Sequence, residues 1–376
     1  MNFVIAPDTF KDCLTASEVA QAMEQGVHNL DPNARCFRIN ASDGGEGFLN
    51  AVAQYVSEVK TITIPTVDPL GRPINAAYLF DEANHTAYVE LARASGIELL
   101  TEDERNPMYT STFGTGMQLQ HAIAKGARKI YLGIGGSATN DGGAGIAKAL
   151  GFDFFDSNGG AVMPTGQNLA SVHSYQRPKD WLGTTRFFAV NDVLNPLFGP
   201  NGAAFTYARQ KGASEQEIEL LDLGLQNLDR VVSASSGKSS ANLEGSGAAG
   251  GTAFGLKSFL NAEYISGVSF VLELSNFRAL LSEHKIDAII TGEGKIDHQT
   301  AFGKFIYGIS QVAAMNGIPV VAVCGKLDAS DSEVKKIGLS GVAQLYDPVQ
   351  PPAYSFENAA RLITQHTESL LRDLLT

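Results

Sequence analysis

The chain has 376 residues, a formal net charge of −12 and a hydrophobic content of 44%. That length exceeds the size at which a single hydrophobic core stops growing, so two domains are expected. The acidic balance argues against nucleic acid and against an anionic membrane as partners, because both attract basic surfaces. It leaves an anionic small-molecule substrate open, since a local lysine pocket can form on an acidic protein.

The cysteines and the apolar runs bear on the cellular location. The three cysteines show no CxxC spacing, so neither a disulfide framework nor a structural zinc site is expected. No basic leader precedes the first apolar stretch, and no apolar run approaches the roughly 18 residues of a membrane span. The sequence therefore predicts a cytoplasmic protein that makes no membrane contact.

In the first sixty residues, predicted strands and helices alternate, as they do in a parallel α/β sheet. Residues 3–6 are a short apolar strand that runs into Asp8, and Thr15 with Glu18 has the pattern of a helix capping box. A second strand is predicted at residues 36–40, and an amphipathic helix follows it. This succession of strand and helix is typical of an α/β fold.

The middle of the chain has a different pattern of apolar and polar residues. Residues 59–91 alternate between apolar and polar positions, which predicts antiparallel or mixed strands. A helix over residues 115–125 should end at Gly126, and a buried strand should follow at 129–134. Residues 152–162 are predicted to form a hairpin.

Farther along, a capping box at Ser214 predicts the start of a helix, whereas the Ser-, Gly- and Ala-rich residues 233–251 predict a loop. The α/β rhythm then returns to the end of the chain, with strands at 286–291 and 319–324, a helix at 302–314 and a last helix from Ser355.

These patterns predict an α/β protein with a doubly wound, Rossmann- or flavodoxin-like parallel-sheet domain. We expect that domain to comprise residues 1–60 and 280–376. A second, inserted α/β domain with a mixed sheet would comprise residues 61–279. The active-site cleft is expected between the two domains.

Several Gly- or Asp-bearing loops follow predicted strands, where ligands bind in open α/β sheets. In the loop of residues 43–47, Gly44 and Gly45 can turn backbone N–H groups toward an anion. Asp43 and Glu46 would repel a bare phosphate, so the loop favours bound Mg²⁺ or ligand hydroxyl groups. An Asp helix cap followed by turn glycines explains the pattern about equally well.

Residues 133–138 match the G-x-G-x-x-A pattern of a dinucleotide-binding turn. Asn140 and Asp141 fit that reading poorly, because a pyrophosphate needs an uncharged helix entrance. A phosphate or substrate oxygen held beside a carboxylate-bound metal suits them better. A glycine-rich packing turn is the plain alternative.

In residues 291–297, Glu293, Lys295 and Asp297 crowd the end of an apolar strand. Crowding of this kind is costly unless the charges share a cation or a polar ligand. Asp8, Lys11 and Asp192 also follow strands. A solvated lysine explains Lys11, and a turn explains Asp192, as readily as function does.

The absence of several motifs argues against three other kinds of site. Residues 245–252 resemble a phosphate-binding P-loop but have glycine in place of its lysine. The seven histidines lack zinc-binding spacing, and no G-x-S-x-G nucleophile motif is present.

Together the motifs resemble the bacterial glycerate kinase family, of the type that includes the glycerate 2-kinases. The similar segments run in order along nearly the whole chain: APDTFKDCLTA (6–16), SDGGEG (42–47), DPLGRP (68–73), STFGTG (111–116), GIGGSATNDGG (133–143), NDVLNPLFGPNGAA (191–204), QKGA (210–213) and TGEGKIDHQT (291–300). The resemblance implies ATP-dependent, Mg²⁺-assisted phosphorylation of D-glycerate, with the 2-hydroxyl favoured, in a two-domain α/β fold with the site in the cleft.

The loops suggest individual roles as hypotheses. Asp192 is the first choice for a general base, and Asp297 and Lys11 complete the predicted catalytic set. The predicted substrate-binding residues are Asp8, Asp43, Gly44, Gly45, Glu46, Thr291 and Gln299. The predicted nucleotide- or phosphate-binding residues are Gly135, Gly136, Ser137, Thr139 and Lys295. The predicted metal ligands are Asp43, Asp141 and Glu293.

Other interpretations remain open at this stage. One is a glycerate 3-kinase, and another is a nicotinamide-dependent oxidoreductase that uses the turn at residues 133–138. A third is a non-catalytic sugar-acid binding protein, although crowded carboxylates suit an anion binder poorly. The sequence leaves a homo-oligomer open.

Overall fold

A computed structural model of the protein describes residues 1–10, 13–39, 44–45, 47–178, 184–297, 300 and 305–376. The chain divides into two compact units. The first comprises Met1–Ser42 and Gly267–Thr376, and the second, Asp43–Ser266, is inserted in it. Among the described helices, none combines the length and the apolar character needed to span a bilayer.

The strands in the described part of the chain are β1 (Asn2–Pro7), β2 (Arg35–Arg38), β3 (Lys60–Val67), β4 (Pro73–Asp81), β5 (Thr86–Glu90), β6 (Lys129–Gly133), β7 (Asp153–Phe155), β8 (Ser174–Gln176), β9 (Arg186–Val190), β10 (Glu263–Ile265), β11 (Ala288–Asp297), β12 (Val320–Asp328) and β13 (Gly341–Gln344).

The α-helices described are α1 (Ala16–Leu30), α2 (Phe48–Tyr55), α3 (Ala92–Ser95), α4 (Phe113–Ala124), α5 (Ala144–Ala149), α6 (Ala203–Tyr207), α7 (Glu215–Ser236), α8 (Ala248–Leu260), α9 (Gly267–Leu274), α10 (Phe277–Glu283), α11 (Phe305–Met315), α12 (Asp331–Ile337), α13 (Pro352–Glu357) and α14 (Ala359–Leu375). Short 3₁₀ turns occupy Ile97–Leu99, Glu102–Glu104, Gly166–Ser171 and Arg209–Lys211.

The first unit is built on a parallel sheet with the strand order β13-β12-β11-β1-β2. Counted within the unit, this is the 2-1-3-4-5 order of flavodoxin-like folds, in which the strand order reverses between β1 and β11. Phe3 and Ile5 of β1 pack with Val19 and Met23 of α1 in a core whose side chains are almost wholly buried.

The second unit contains a six-stranded sheet with the order β10-β9-β6-β5-β4-β3. Strands β5, β6, β9 and β10 are parallel, whereas β3 and β4 are antiparallel additions at one edge. Val89, Ile130, Leu132 and Phe187 from adjacent strands point into one core. The prediction of a parallel-sheet domain with an inserted mixed-sheet α/β domain is thereby confirmed.

Local helix signals in the sequence were reliable. Thr15 caps α1 and Ser214 caps α7, each through a reciprocal capping box. Gly126 follows α4 with a left-handed φ of 98°, the conformation in which glycine commonly ends a helix.

The hairpin predicted for residues 152–162 is present at its turn, where the N–H of Val162 donates to the carbonyl of Phe154 at 2.8 Å, but the longer pairing of β7 is with another strand. Strand β7 pairs antiparallel with β8, so that Phe154 lies opposite Tyr175. A single bridge joins Phe155 to Ala161. The partner was set by packing, because Phe154 and Tyr175 both contact the buried ring of Phe259, more than eighty positions away in sequence from Tyr175.

Of two further predicted loops, the first is confirmed over most of its length and the second is corrected. Helix α7 continues to Ser236 and ends at the left-handed Gly237, residues 237–247 form the predicted loop, and Ala249, Gly250 and Gly251 at the start of α8 are left-handed and not helical. Strand β11 continues to Asp297, with Lys295 opposite Lys326 of β12, so residues 291–297 are strand and not loop. Pairing with β12 as far as Asp328 keeps these charged residues extended.

Candidate active site

In the first unit, β1 ends beside the middle of β11, at the point where the strand order reverses. The N–H of Asp8 donates to the carbonyl of Gly292 at 2.8 Å. The Asp8 carboxylate accepts the N–H of Thr9 at 2.7 Å. In open α/β sheets ligands bind at this reversal point, so the position of Asp8 is compatible with its predicted role in substrate binding.

Glu293 and Asp297 are linked through Thr300. The Thr300 hydroxyl donates to Glu293 Oε1 at 2.7 Å and accepts the N–H of Asp297 at 3.2 Å. Glu293 is only 8% exposed, whereas Asp297 keeps partial access to solvent. Carboxylate and hydroxyl oxygens of this kind are the ligands that Mg²⁺ prefers.

Lys295 lies between two carboxylates. Its ammonium is 2.9 Å from Asp328 Oδ2 and 3.5 Å from Asp297 Oδ2, and half of the side chain is exposed. The hydrogen bond to Asp328, followed by the charges of both carboxylates, raises the pKa of Lys295. The lysine is therefore positively charged and close to an acidic, metal-compatible group.

Thr291, predicted to bind substrate, is fully buried, and its hydroxyl donates to the carbonyl of Ala6 at 2.7 Å. This bond connects β11 to β1 inside the sheet. The side chain thus braces the strand ends on which Asp8 and Glu293 are carried.

In the second unit, Gly44 and Gly45 lie directly on the ends of β6 and β9. The N–H of Gly135 donates to the carbonyl of Gly44 at 3.0 Å. Gly44 has a φ of +81°, and a methyl group on it would lie 2.3 Å from the carbonyl oxygen of Val190. Only glycine fits this approach, so the loop is held against both strand ends.

The loop of residues 133–143, called here the glycine loop, is anchored along its length. The carbonyl of Gly136 accepts the N–H of Ile97 at 2.9 Å, and the N–H of Ala138 donates to the carbonyl of Ser95 at 2.9 Å. The Ser137 hydroxyl and the Thr139 carbonyl both accept from the ammonium of Lys211, at 2.7 and 2.8 Å.

Asp141 is fully buried and already well supplied with donors. Its Oδ2 accepts from the N–H and hydroxyl of Thr112 at 2.7 and 2.9 Å, from Ser111 and from the N–H of Gly145, and its Oδ1 accepts from the N–H of Gly143. Burial raises the pKa of this carboxyl, and the hydrogen bonds from Thr112 act in the opposite direction. Five protein donors favour a role as the anchor of the glycine loop over the predicted role as a metal ligand.

Lys211 was missed as a site residue. It is 4% exposed, and burial lowers its pKa from 10.5 to about 7, while the negative charge of Asp141 acts to raise it. The sequence contains the segment QKGA at residues 210–213 but no spacing that links Lys211 to a loop seventy residues earlier.

Glu90, the last residue of β5, was missed as well. It is 2% exposed and lies opposite Gly133 in the sheet register. Its carboxylate accepts the N–H of Leu49 in the first turn of α2 at 3.1 Å, and the Nε of Arg93 is 3.2 Å from it. A glutamate at the end of an alternating strand gives no sequence signal that distinguishes it from a solvated residue.

Asp192 follows β9 and is partly buried. Its neighbour Asn191 donates its N–H to the carbonyl of Ile265 at 3.1 Å and accepts the N–H of Val193 on its side chain at 3.3 Å. This Asx-type turn fixes the backbone on both sides of Asp192, two residues beyond the contact between Gly44 and Val190. Four predicted site residues lie outside the described residues: Lys11, Asp43, Glu46 and Gln299.

One other group in the described part of the chain has metal-ligand chemistry. Side-chain atoms of Glu24, His28 and Cys36 lie within 4.8 Å of one another. The guanidinium of Arg38 already contacts the Glu24 carboxylate, and burial raises the pKa of Cys36 to about 11. A neighbouring cation and a protonated thiol disfavour a metal ion here.

Comparison with known proteins identifies relatives over the full length. The profile of the "Glycerate kinase family" matches residues 3–375. A glycerate kinase of Halalkalibacterium halodurans is 36% identical over 371 residues, covering 98% of this chain and 97% of that protein. A glycerate 2-kinase of Escherichia coli is 38% identical over 350 residues, covering 91% and 90%. A crystal structure described as glycerate kinase 2 of Salmonella typhimurium LT2 superimposes with a TM-score of 0.81 at 33% identity, covering 100% of this chain and 98% of the other.

Proposed function

We propose that this chain, which belongs to the glycerate kinase family, transfers the γ-phosphoryl group of ATP to the 2-hydroxyl of D-glycerate. Family membership over residues 3–375 supports an enzyme that phosphorylates glycerate. The 2-position is favoured by the similarity to the Escherichia coli glycerate 2-kinase. The same similarity leaves the oxidoreductase and binding-protein interpretations without support.

The positions of the charged and glycine-rich segments support phosphoryl transfer. In each unit, charged or glycine-rich segments lie where a parallel strand ends. In the first unit Asp8 follows β1, and Glu293 lies beside it on β11. In the second unit Gly44 and Gly135 lie at the ends of β6 and β9. Phosphoryl transfer needs positioning and charge neutralisation more than covalent chemistry, and backbone amides with fixed charges provide both.

For the nucleotide, we assign the glycine loop from Gly135 to Thr139, including Gly136 and Ser137, to the phosphate groups. Backbone N–H groups in such turns bind anions without any charged side chain. Lys295 is proposed to bind phosphate as well, because a surface ammonium of raised pKa stays charged at neutral pH.

For the metal, Glu293 and Asp297 would hold Mg²⁺ with the hydroxyl of Thr300 beside them, and Asp43 remains a predicted ligand. Bound Mg²⁺ supplies positive charge to the β- and γ-phosphates. Asp141 is not included, because five protein donors occupy its carboxylate.

For the acceptor, Asp192 is proposed as the group that orients and deprotonates the attacking hydroxyl. Asp8, Gly44 and Gly45 are proposed to contact glycerate, and the predictions for Glu46 and Gln299 stand beside them. Lys11 is proposed to neutralise an anionic group of the ligands. The proposal places the reaction in the cytoplasm.

The proposal is tested by mixing purified protein with ATP, Mg²⁺ and a panel of three-carbon hydroxy acids in an assay coupled to ADP release. Phosphorus NMR of the product then separates 2-phosphoglycerate from 3-phosphoglycerate. We expect ADP release only with D-glycerate and a phosphorus signal on the 2-oxygen. A signal on the 3-oxygen would overturn the regiochemistry. No turnover with D-glycerate would overturn the function itself.

A further inference from the structure

The geometry points to Lys211 as a positioning residue that orients the peptide groups of the glycine loop toward the phosphates of the nucleotide. This inference deepens the proposed function and rests on it for the identity of the ligand. It gives a role to a buried ammonium that the assignments above leave unused.

A buried ammonium needs strong local partners, since its loss of hydration is costly. Lys211 is 4% exposed and donates to Ser137 Oγ at 2.7 Å and to the carbonyl of Thr139 at 2.8 Å. Both acceptors belong to the glycine loop, which lies more than seventy positions earlier in the sequence. The 3₁₀ turn that carries Lys211 is therefore joined to the loop by two hydrogen bonds.

Two further carbonyls of the glycine loop, those of Gly136 and Ala138, also accept hydrogen bonds from protein donors. Ile97 donates to the carbonyl of Gly136, and the Thr110 hydroxyl donates to the carbonyl of Ala138 at 2.9 Å. With the bond from Lys211 to Thr139, three of four successive carbonyl groups are fixed by protein donors.

In a planar trans peptide, the carbonyl of one residue and the N–H of the next point in opposite directions. Fixing these three carbonyls therefore sets the directions of the N–H groups of Ser137, Thr139 and Asn140, each opposite to the carbonyl before it. Within the part of the chain that the structure describes, no acceptor takes these three N–H groups. Neighbouring N–H groups without acceptors, here those of Thr139 and Asn140, can form an anion-binding nest.

Side chains at the same place also lack partners. The amide nitrogen and oxygen of Asn140 and the hydroxyl of Thr139 are buried without a hydrogen bond among the described residues. Asn140 is 1% exposed and Thr139 is fully buried. Buried polar groups are rarely left unsatisfied, so these unused donors and acceptors indicate a polar ligand at the loop.

The backbone of Gly250 also packs against the glycine loop. Its carbonyl accepts the N–H of Gly142 at 3.1 Å, and its φ is +65°. A methyl group on Gly250 would lie 1.9 Å from the Thr139 carbonyl oxygen. The Thr139 peptide is thus held between this backbone and the Lys211 ammonium, so it cannot rotate away when the lysine bond is intact.

The test uses a double-mutant cycle on the full-length protein. Lys211→Met, Ser137→Ala and the double variant are compared for ATP dissociation constant, by calorimetry, and for the KM of ATP and of D-glycerate. We expect Lys211→Met to weaken ATP binding about tenfold, because it releases two loop bonds. The KM of glycerate should change by less than about twofold, and the two substitutions should be non-additive.

Lys148→Met is the matched control, because Lys148 belongs to the same unit but pairs with the exposed Asp153. Its ATP affinity should equal that of the parent protein. Unchanged ATP affinity in Lys211→Met, an equal rise in both KM values, or additive effects in the cycle would each overturn the inference.

If Lys211→Met does not fold, Lys211→Gln is used, since it keeps an NH₂ donor group and removes the charge. The same selective loss of ATP affinity is expected, and an unchanged affinity would contradict the inference. Calorimetry also separates the two proposals. A parent protein that binds ATP but does not phosphorylate glycerate refutes the function, whereas the role of Lys211 is still decided by ATP affinity.

Discussion

Gly135 and Gly45 are in direct backbone contact: a methyl group on Gly135 would lie 2.3 Å from the Cα of Gly45. The contact brings the loop before α2 onto the end of β6, and the bond from Gly135 N–H to the Gly44 carbonyl holds it there. Two glycine-rich segments that are ninety residues apart in sequence therefore form one surface.

Gly44→Ala is expected to disrupt this surface, since the added methyl would lie 2.3 Å from the Val190 carbonyl oxygen. We expect kcat/KM for glycerate to fall by about tenfold or more, because active-site displacements of this size are costly. Gly47→Ala is the control: Gly47 is also left-handed, at φ +84°, but has no neighbour within 4 Å. It should cost only about 1 kcal/mol of stability and leave activity intact. Equal kinetic losses in both variants would show that crowding at Val190 is irrelevant.

Asp192→Asn should leave the fold intact and slow the chemical step. Asparagine keeps the size of the side chain but cannot accept a proton, so single-turnover phosphorylation is expected to fall by about 100-fold or more. The affinity for ATP should be unchanged. Asp153→Asn, an exposed substitution in the same unit, should react at the parental rate. A near-normal single-turnover rate for Asp192→Asn would remove this residue from the chemistry.

Glu90 is expected to affect activity by holding the first turn of α2. Glu90→Ala removes the acceptor of the Leu49 N–H, while Glu90→Gln keeps an oxygen there. We expect kcat/KM to fall about tenfold in the alanine variant and less in the glutamine variant, because the buried N–H otherwise loses its partner. Arg93→Ala should change little, since the exposed half of a salt bridge contributes little. Identical losses for alanine and glutamine would assign the effect to charge and not to the hydrogen bond.

Asp141→Asn should destabilise the second unit. The carboxylate accepts on both oxygens, so an amide must turn its NH₂ group toward either Gly143 or Thr112, which are themselves donors. We expect a loss of about 2–4 kcal/mol in chemical denaturation, in line with disruption of a buried network. Asp153→Asn should stay within about 0.5 kcal/mol. Equal stability of the two variants would contradict the anchoring role.

Lys211 should make stability depend on pH. Its pKa falls from 10.5 to about 7 on folding, so between these values the unfolded chain binds more protons than the folded protein. Stability contributed at this site therefore rises with pH across that window. The parent protein should gain up to about 4 kcal/mol relative to Lys211→Met between about pH 7 and about pH 10. Denaturation midpoints of both proteins measured across the window check this, and parallel curves would contradict it.

Local patterns were enough for much of the fold. The capping boxes at Thr15 and Ser214, the glycine after α4 and the alternation before Glu90 each depend on neighbours within a few residues. The same holds for the parallel-sheet character of the strand that ends before Asp8. The partner of β7 and the extension of β11 were not predictable in this way, because each depends on a strand distant in sequence.

The parallel character of the first sheet, the capped helix starts and the places where glycines and carboxylates follow strands could be predicted from the chain alone, because they depend on short-range periodicity and backbone freedom. The enclosure of Asp141 by five donors, the bond from Glu90 to the start of α2 and the support of the glycine loop by Lys211 could not be predicted in this way. Burial and hydrogen-bond partners depend on which distant segments pack together, and no local spacing encodes that packing.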